Sequence, residues 1–340
     1  MVNLILPLLL DLAMSGINAA SLSKPALGPS IPMDLTDLYS VTNATSLGAG
    51  GGGIDPHFSV NYELGDTPLR PIACLMNAVN AMTNLALLDF GGHIPPVVAR
   101  LPSYPDVVIR SDATTLGRGV IPIRYVLWGI WSFALFMLNN NRYQTMHLTL
   151  GFNGGIVGYI RVERPNLQVS SLAGSDSDSS ASVRQKGADE ALPDIHPSKI
   201  PAKLTAVSNT TNLFLTNTTA TSSNAGDLHV FIRPIGQTLT NFQFFSPILA
   251  GLDFVARFPS TSPVNGFALR PVNVDTYIEF RDFGTQPRRQ APFFEYQWVV
   301  RALGELPWHL MPLMRWSEAI IVMQVDGISV GDGGLQKRAS

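Results

Sequence analysis

The sequence predicts an α+β fold of two tandem β-α-β-α-β-β modules, each a two-layer sandwich of helices on a sheet, packed as an internal pseudo-dimer. Three observations predict it. The chain is 46% hydrophobic and only 14% charged over 340 residues, which is ample apolar material for one large core or two ordinary ones. The same order of strand and helix patterns occurs twice. Four anchors share one register: Asp106 with Asp275, Ile109 with Ile278, Trp128 with Trp298 and Gly154 with Gly327, at an offset of about 170 residues.

Residues 1–20 read as a secretory signal peptide: an apolar run from Leu4 to Leu10, then small residues at Asn18, Ala19 and Ala20. Residues 21–56 are rich in Pro, Ser and Gly and end in a glycine run at 50–53, which reads as a flexible arm. No Lys-Ser/Thr follows those glycines, so they do not make a phosphate loop.

Module one covers residues 57–164. Its first strand is the alternating Phe58–Tyr62, and Ile72–Leu88 has helical spacing, with Leu75, Val79, Met82 and Ala86 on one stripe and Asn77, Asn80 and Asn84 on another. The asparagine stripe predicts a solvated face or an inter-module contact rather than a sugar site. A short strand follows at Asp106–Arg110. A second, very apolar helix runs to Leu138, with Pro122 at its first turn. Two alternating runs around Asn153-Gly154 then predict a hairpin, because a type I′ turn needs positive φ at both central residues.

Residues 165–226, dominated by Ser, Thr and Asn, read as a disordered linker with one apolar patch at Leu213–Leu215. Module two covers residues 227–334 and repeats the order, closing on a hairpin around Asp326-Gly327; residues 335–340 read as a tail. Sequons at Asn43, Asn209 and Asn217 fall in the arm and linker, as glycosylation acceptors do.

The run Arg124-Tyr-Val-Leu-Trp-Gly-Ile-Trp131, with Tyr104-Pro-Asp-Val107 and Leu85-Ala-Leu-Leu-Asp-Phe90 before it, resembles a group of secreted proteins of filamentous ascomycete fungi. The resemblance implies an extracellular, fungal setting. That group has no assigned activity, so it supplies no catalytic residues.

The net charge of −2 gathers no phosphates, so nucleic acid is not an expected partner. No transmembrane anchor is expected either, since Arg124 and Asn139 bracket only 14 apolar or small residues where roughly 20 are needed. The single cysteine, Cys74, lies in a helical pattern and reads as a buried, inert thiol. The six histidines have no metal-ligand spacing, and neither metal nor cofactor is expected. Gly327-Ile-Ser329-Val-Gly331 matches the nucleophile-elbow string of hydrolases, but no histidine follows it.

Two further groups of residues remain as candidates. Asp106 and Asp275 recur in both modules and are the one symmetric acid pair that an enzyme acting at the inter-module cleft could use; the plainer reading is that each caps its own strand. Module two's last helix carries Gln297, Arg301 and Glu305 at every fourth position, whereas the matching places in module one are Leu127, Trp131 and Leu135. That extra apolar face must be covered by the rest of the chain or serve as a ligand- or partner-binding groove. The sequence thus predicts a secreted, non-catalytic binding or structural protein, whose partner is a protein, a glycan or a small hydrophobic molecule. A carrier of a small hydrophobic ligand and an inter-module enzyme stand as alternatives.

Overall fold

The computed structural model of the chain describes residues 39–42, 54–114, 119–165, 211–213, 227–283, 291–313 and 315–338. Residues 1–20, which read as a signal peptide, and the sequon residues Asn43, Asn209 and Asn217 lie outside the described residues.

Strand β1 is Tyr39–Thr42. The first half then runs β2 (Phe58–Pro68), α1 (Pro71–Ala86), β3 (His93–Ile94), β4 (Val97–Ala99), β5 (Val108–Ala113), β6 (Ile121–Pro122), α2 (Ile123–Asn140), β7 (Gln144–Phe152) and β8 (Gly155–Glu163). Strand β9 is Thr211–Leu213. The second half runs β10 (Leu228–Leu239), α3 (Asn241–Val255), β11 (Phe267–Pro271), β12 (Thr276–Asp282), α4 (Tyr296–Leu310), β13 (Trp316–Val325) and β14 (Ile328–Lys337).

Both long hairpins close as their turn residues dictate. Asn153 and Gly154 have φ of 50° and 77°, and Asp326 and Gly327 have φ of 51° and 76°, the pair of left-handed residues that a type I′ turn requires. Helix α1 opens with proline at its first turn, whose missing N–H would have no partner there. Helix α3 opens with a capping box between Thr240 and Gln243.

Two six-stranded sheets result, in the orders β9-β4-β5-β8-β7-β2 and β1-β11-β12-β14-β13-β10, with a small β3-β6 ribbon beside them. Every pairing is antiparallel except β4 with β9. The two sheets agree in register as well as in order. Leu150 faces Gly158 and Met323 faces Gly331, and a bulge follows each pair at the same step of the hairpin. Ile109 opposite Val162 matches Ile278 opposite Leu335.

Helices α1 and α2 lie on the first sheet, and α3 and α4 on the second. The two helical layers then pack on each other, α1 against α3 and α4, and α2 against α3. The architecture is sheet, helices, helices, sheet, and one apolar core runs through all of it. Helices between two sheets have no wet side, and that is why α2 is apolar all round. The second half's α4 is less completely sealed: Gln297, Arg301 and Glu305 are half-buried, with the Arg301 guanidinium lying over the Trp298 ring at 5.3 Å.

Four features differ from the sequence expectation. The 21–56 arm contributes β1, which pairs with β11 of the second half. The 165–226 linker contributes β9 one residue into its Leu213–Leu215 patch, pairing with β4. Strands β4 and β11 add one more strand to each six-stranded sheet, and the first half also gains the two-residue strands β3 and β6. Strand β14 runs through the glycine-rich 331–334 and on to Lys337, into residues that read as a tail.

Candidate functional site

With the inner face of each sheet covered by helices, what the described residues offer to a partner is chiefly the two outer sheet faces. Antiparallel register determines which side chains share a row on each face. On the first sheet, one row is Asn61, Thr149, Tyr159 and Asp112, and the next is Glu63, His147, Arg161 and Arg110. These rows close on themselves. Arg161 bonds Asp112 at 2.7 Å, Arg110 bonds Glu163 at 2.6 Å, and His147 stacks on Tyr159 with ring centroids 5.5 Å apart while lying 3.5 Å from Glu63.

The equivalent rows on the second sheet are Phe231, Val322, Asp332 and Arg281, then Arg233, Ile320, Gly334 and Glu279. Here the face stays open. Phe231 and Ile320 leave 54% and 38% of their surface in solvent. Gly334 stands where the first sheet has Arg161, so the row loses its central side chain. A depression of about 450 Å³ opens there, bordered by Ala268, Glu279, Arg281, Ile320, Asp332 and Gln336.

The polar rim is organised by its own hydrogen bonds. Arg281 holds Asp332 through two nitrogens, with Nη2 at 2.8 Å from Oδ2, and this raises the guanidinium's affinity for its proton. Tyr277 donates to Gln336 at 2.9 Å, and Gln336 donates to Glu279 at 3.3 Å. Burial raises the Tyr277 phenol, so it keeps its proton as a donor. Arg270 lies over the same ring at 5.1 Å. The depression therefore presents carboxylate, guanidinium and amide groups beside one aliphatic wall. Its lining holds no Ser, Thr, Cys or His side chain.

Each member of the acid pair is engaged within its own half. Asp106 binds Arg70, the residue before α1, through both carboxylate oxygens, while Asp275 accepts from Gln243 at 2.8 and 3.1 Å and lies 3.2 Å from Lys337. Each carboxylate ties the start of a helix to the start of a strand within its own half. The Arg70 hydrogen bond holds the Asp106 carboxyl below its ordinary value. At Asp275 burial pushes upward, but the bonds from Gln243 and Lys337 outweigh it and the net direction is down. An acid and a base need pKa values pushed apart, and here both are pushed the same way.

The Asp106 shift makes a prediction about pH. Its folded-state pKa lies below the unfolded value near 3.9, so its contribution is complete above about pH 4 and is lost as pH falls through the folded value. Asp106→Asn is therefore expected to lower the urea midpoint at neutral pH, with the gap from the natural chain narrowing below about pH 4. A gap unchanged down to pH 2 would contradict this assignment.

Leu127, Trp131 and Leu135 are buried, at 0%, 1% and 6% exposure, on a helix packed against α1, α3 and the first sheet. They present no accessible groove. Asn77 and Asn80 are buried too. Asn77 accepts from the Leu101 N–H at 2.7 Å and donates to the carbonyls of Ala73 and Tyr104, so of the two expectations for this stripe, a solvated face or an inter-module contact, the solvated face fails at Asn77, which holds down a loop, and at the buried Asn80. Ser329 lies in strand β14 and accepts from Gln324 at 3.3 Å, and the strand continues past it to Lys337 where a nucleophile elbow would turn into a helix. Cys74 is fully buried and its thiol is pushed up to about 12 by burial. Among the described residues no three His, Cys, Asp or Glu side chains cluster as metal ligands, and no helix is long and apolar enough to cross a membrane.

Sequence reading missed Phe231, Ile320, Gly334, Glu279 and Arg281 as a group. The signal that could have found them is the Gly331-Asp-Gly-Gly334 run, which removes side chains from the middle of a strand. Comparison with known proteins adds nothing to this geometry: no family model matches the chain, and no curated protein or solved structure is significantly similar to it.

Proposed function

We propose that this is a secreted, non-catalytic binding protein made from a duplicated α+β module, and that it binds through the outer face of its second sheet. The observation that carries the reading is the contrast between equivalent positions. Where the first face has Asn61, Thr149, His147 and Arg161, the second has Phe231, Val322, Ile320 and Gly334. One face is satisfied by its own ion pairs; the other leaves apolar surface and a depression exposed. Exposed apolar surface rimmed by polar groups is the usual mark of an interaction site.

Duplication is supported by the matching strand order, the shared bulge, the two type I′ turns and the helix contacts, which map onto themselves when the halves are exchanged. An obligate pair lets one copy keep the closed face while the other diverges. The extracellular setting rests on the sequence of residues 1–20 and on the fungal resemblance.

The partner the lining suits best is a polypeptide. Charges of both signs, a side-chain amide and an aliphatic wall fit a segment of alternating polar and apolar residues better than a uniformly hydroxylated or uniformly apolar ligand. The test is selection of random dodecapeptides displayed on phage against the immobilised chain. Enrichment of sequences that mix apolar and charged residues is expected. If no sequence is enriched over an uncoated surface, the peptide-binding reading fails.

A further inference from the structure

One of the two edge strands of each sheet is foreign to its half. Strand β1 precedes the first half yet pairs with β11 of the second, and β9 precedes the second half yet pairs with β4 of the first. Strands β4 and β11 hold the same place in the two sheets. The separations also match, with residues 43–57 between β1 and β2 and residues 214–227 between β9 and β10. Each half thus sends the segment before its first strand to the other half's outer edge.

The two donated strands run in opposite senses, β1 antiparallel to its neighbour and β9 parallel. Two edges at equivalent places that take extended segments in opposite senses are reading backbone groups rather than one side-chain sequence. The β1 ladder is four residues long, Tyr39 to Thr42 opposite Pro271 to Ala268. Over so short a ladder, the net gain from hydrogen bonds is of the same order as the entropy lost in ordering the segment. What keeps the segment docked is its tether, through a high effective concentration.

We infer that the outer edge of β11 is a docking slot for an extended peptide, occupied in cis by Tyr39–Thr42 and exchangeable with the same segment of a second copy. A free edge would otherwise template uncontrolled pairing, and the chain covers it with its own strand. The slot adjoins the depression and shares Ala268 with it, but the slot is tested through the β1 ladder and the depression through Ile320, so the two outcomes are distinguishable. Its failure or success therefore leaves the proposed function to its own test.

The experiment uses the full chain carrying Ser40→Pro and Val41→Pro. One of two consecutive N–H groups in a strand points at the neighbour, so the pair of prolines removes that donor whichever it is. A fluorescein-labelled peptide of sequence 37–44 is titrated in, and anisotropy is read. Saturable binding at least tenfold tighter to the proline variant than to the unchanged chain is expected. Equal binding, with far-UV circular dichroism unchanged by the prolines, overturns the slot. A second reading uses the unchanged chain alone. With excess peptide, hydrogen exchange at 39–42 is expected to accelerate while residues 267–271 stay protected, and exchange at 39–42 that ignores the peptide at every concentration overturns exchangeability.

Discussion

Trp131→Ala is expected to lower the free energy of unfolding by about 3–5 kcal/mol. Trp131 is among the largest fully buried side chains, on a helix that packs against its own sheet, against α1 and against α3 of the other half. Truncation removes the transfer free energy of the indole and leaves a cavity between rigid layers that cannot collapse far, since both flanking sheets are fixed by their ladders. Urea unfolding followed by circular dichroism measures it. Because one core joins the halves, the midpoint is expected to move as a single transition. Phe231→Ala serves as the reference, because an exposed sheet residue is expected to change stability by about 0.5 kcal/mol or less. A loss at Trp131 no larger than the loss at Phe231 would contradict the layered packing.

Asn77→Ala is expected to cost about 3 kcal/mol, a large penalty for so small a deletion. The side chain is fully buried and satisfies three backbone groups, the Leu101 N–H and the carbonyls of Ala73 and Tyr104. Alanine removes those partners and leaves the Leu101 N–H buried without an acceptor, which carries the desolvation penalty outright. The loop it anchors also bridges the halves, since Tyr104 packs beside Trp308 at 6.0 Å and its hydroxyl donates to the Met311 sulfur at 2.7 Å. Accelerated hydrogen exchange at Leu101 beyond that of the rest of the core is the expected signature. Exchange at Leu101 indistinguishable from the natural chain would remove Asn77 from this role.

How far the sequence could be read follows from how local each signal is. The hairpins at Asn153-Gly154 and Asp326-Gly327 were legible because type I′ chemistry is written in two adjacent residues. The Ile109 and Ile278 equivalence was legible because both lie in alternating strands at the same distance from a helix. Asn77 misled because a helical wheel shows which residues share a face but not what that face meets. The wheel sees a polar stripe; the fold supplies backbone groups of a distant loop. Strands β1 and β9 were illegible for a related reason: four and three residues in polar surroundings carry no pattern of their own, and their partners lie in the other half.

The candidate site was the least legible part. A row such as Arg233, Ile320, Gly334 and Glu279 exists only once the register of three strand pairs is known, and a bulge in the β13-β14 hairpin shifts that register by one residue. The greasy face of α2 drew attention in the sequence because it lacks the polar stripe that α4 retains. In the fold it is interior, and the asymmetry on which the proposed binding rests lies on the opposite side of the other sheet.

The most direct test of the central claim is a paired affinity measurement on one selected dodecapeptide, using the natural chain, Ile320→Asp and His147→Asp. Ile320 and His147 hold equivalent positions on the two outer faces, so the two variants place the same charge at the same place in each half. At least a tenfold loss of affinity in Ile320→Asp, with His147→Asp unchanged, is the predicted result. Equal affinity for all three chains, or a loss confined to His147→Asp, would contradict binding at the second sheet's outer face.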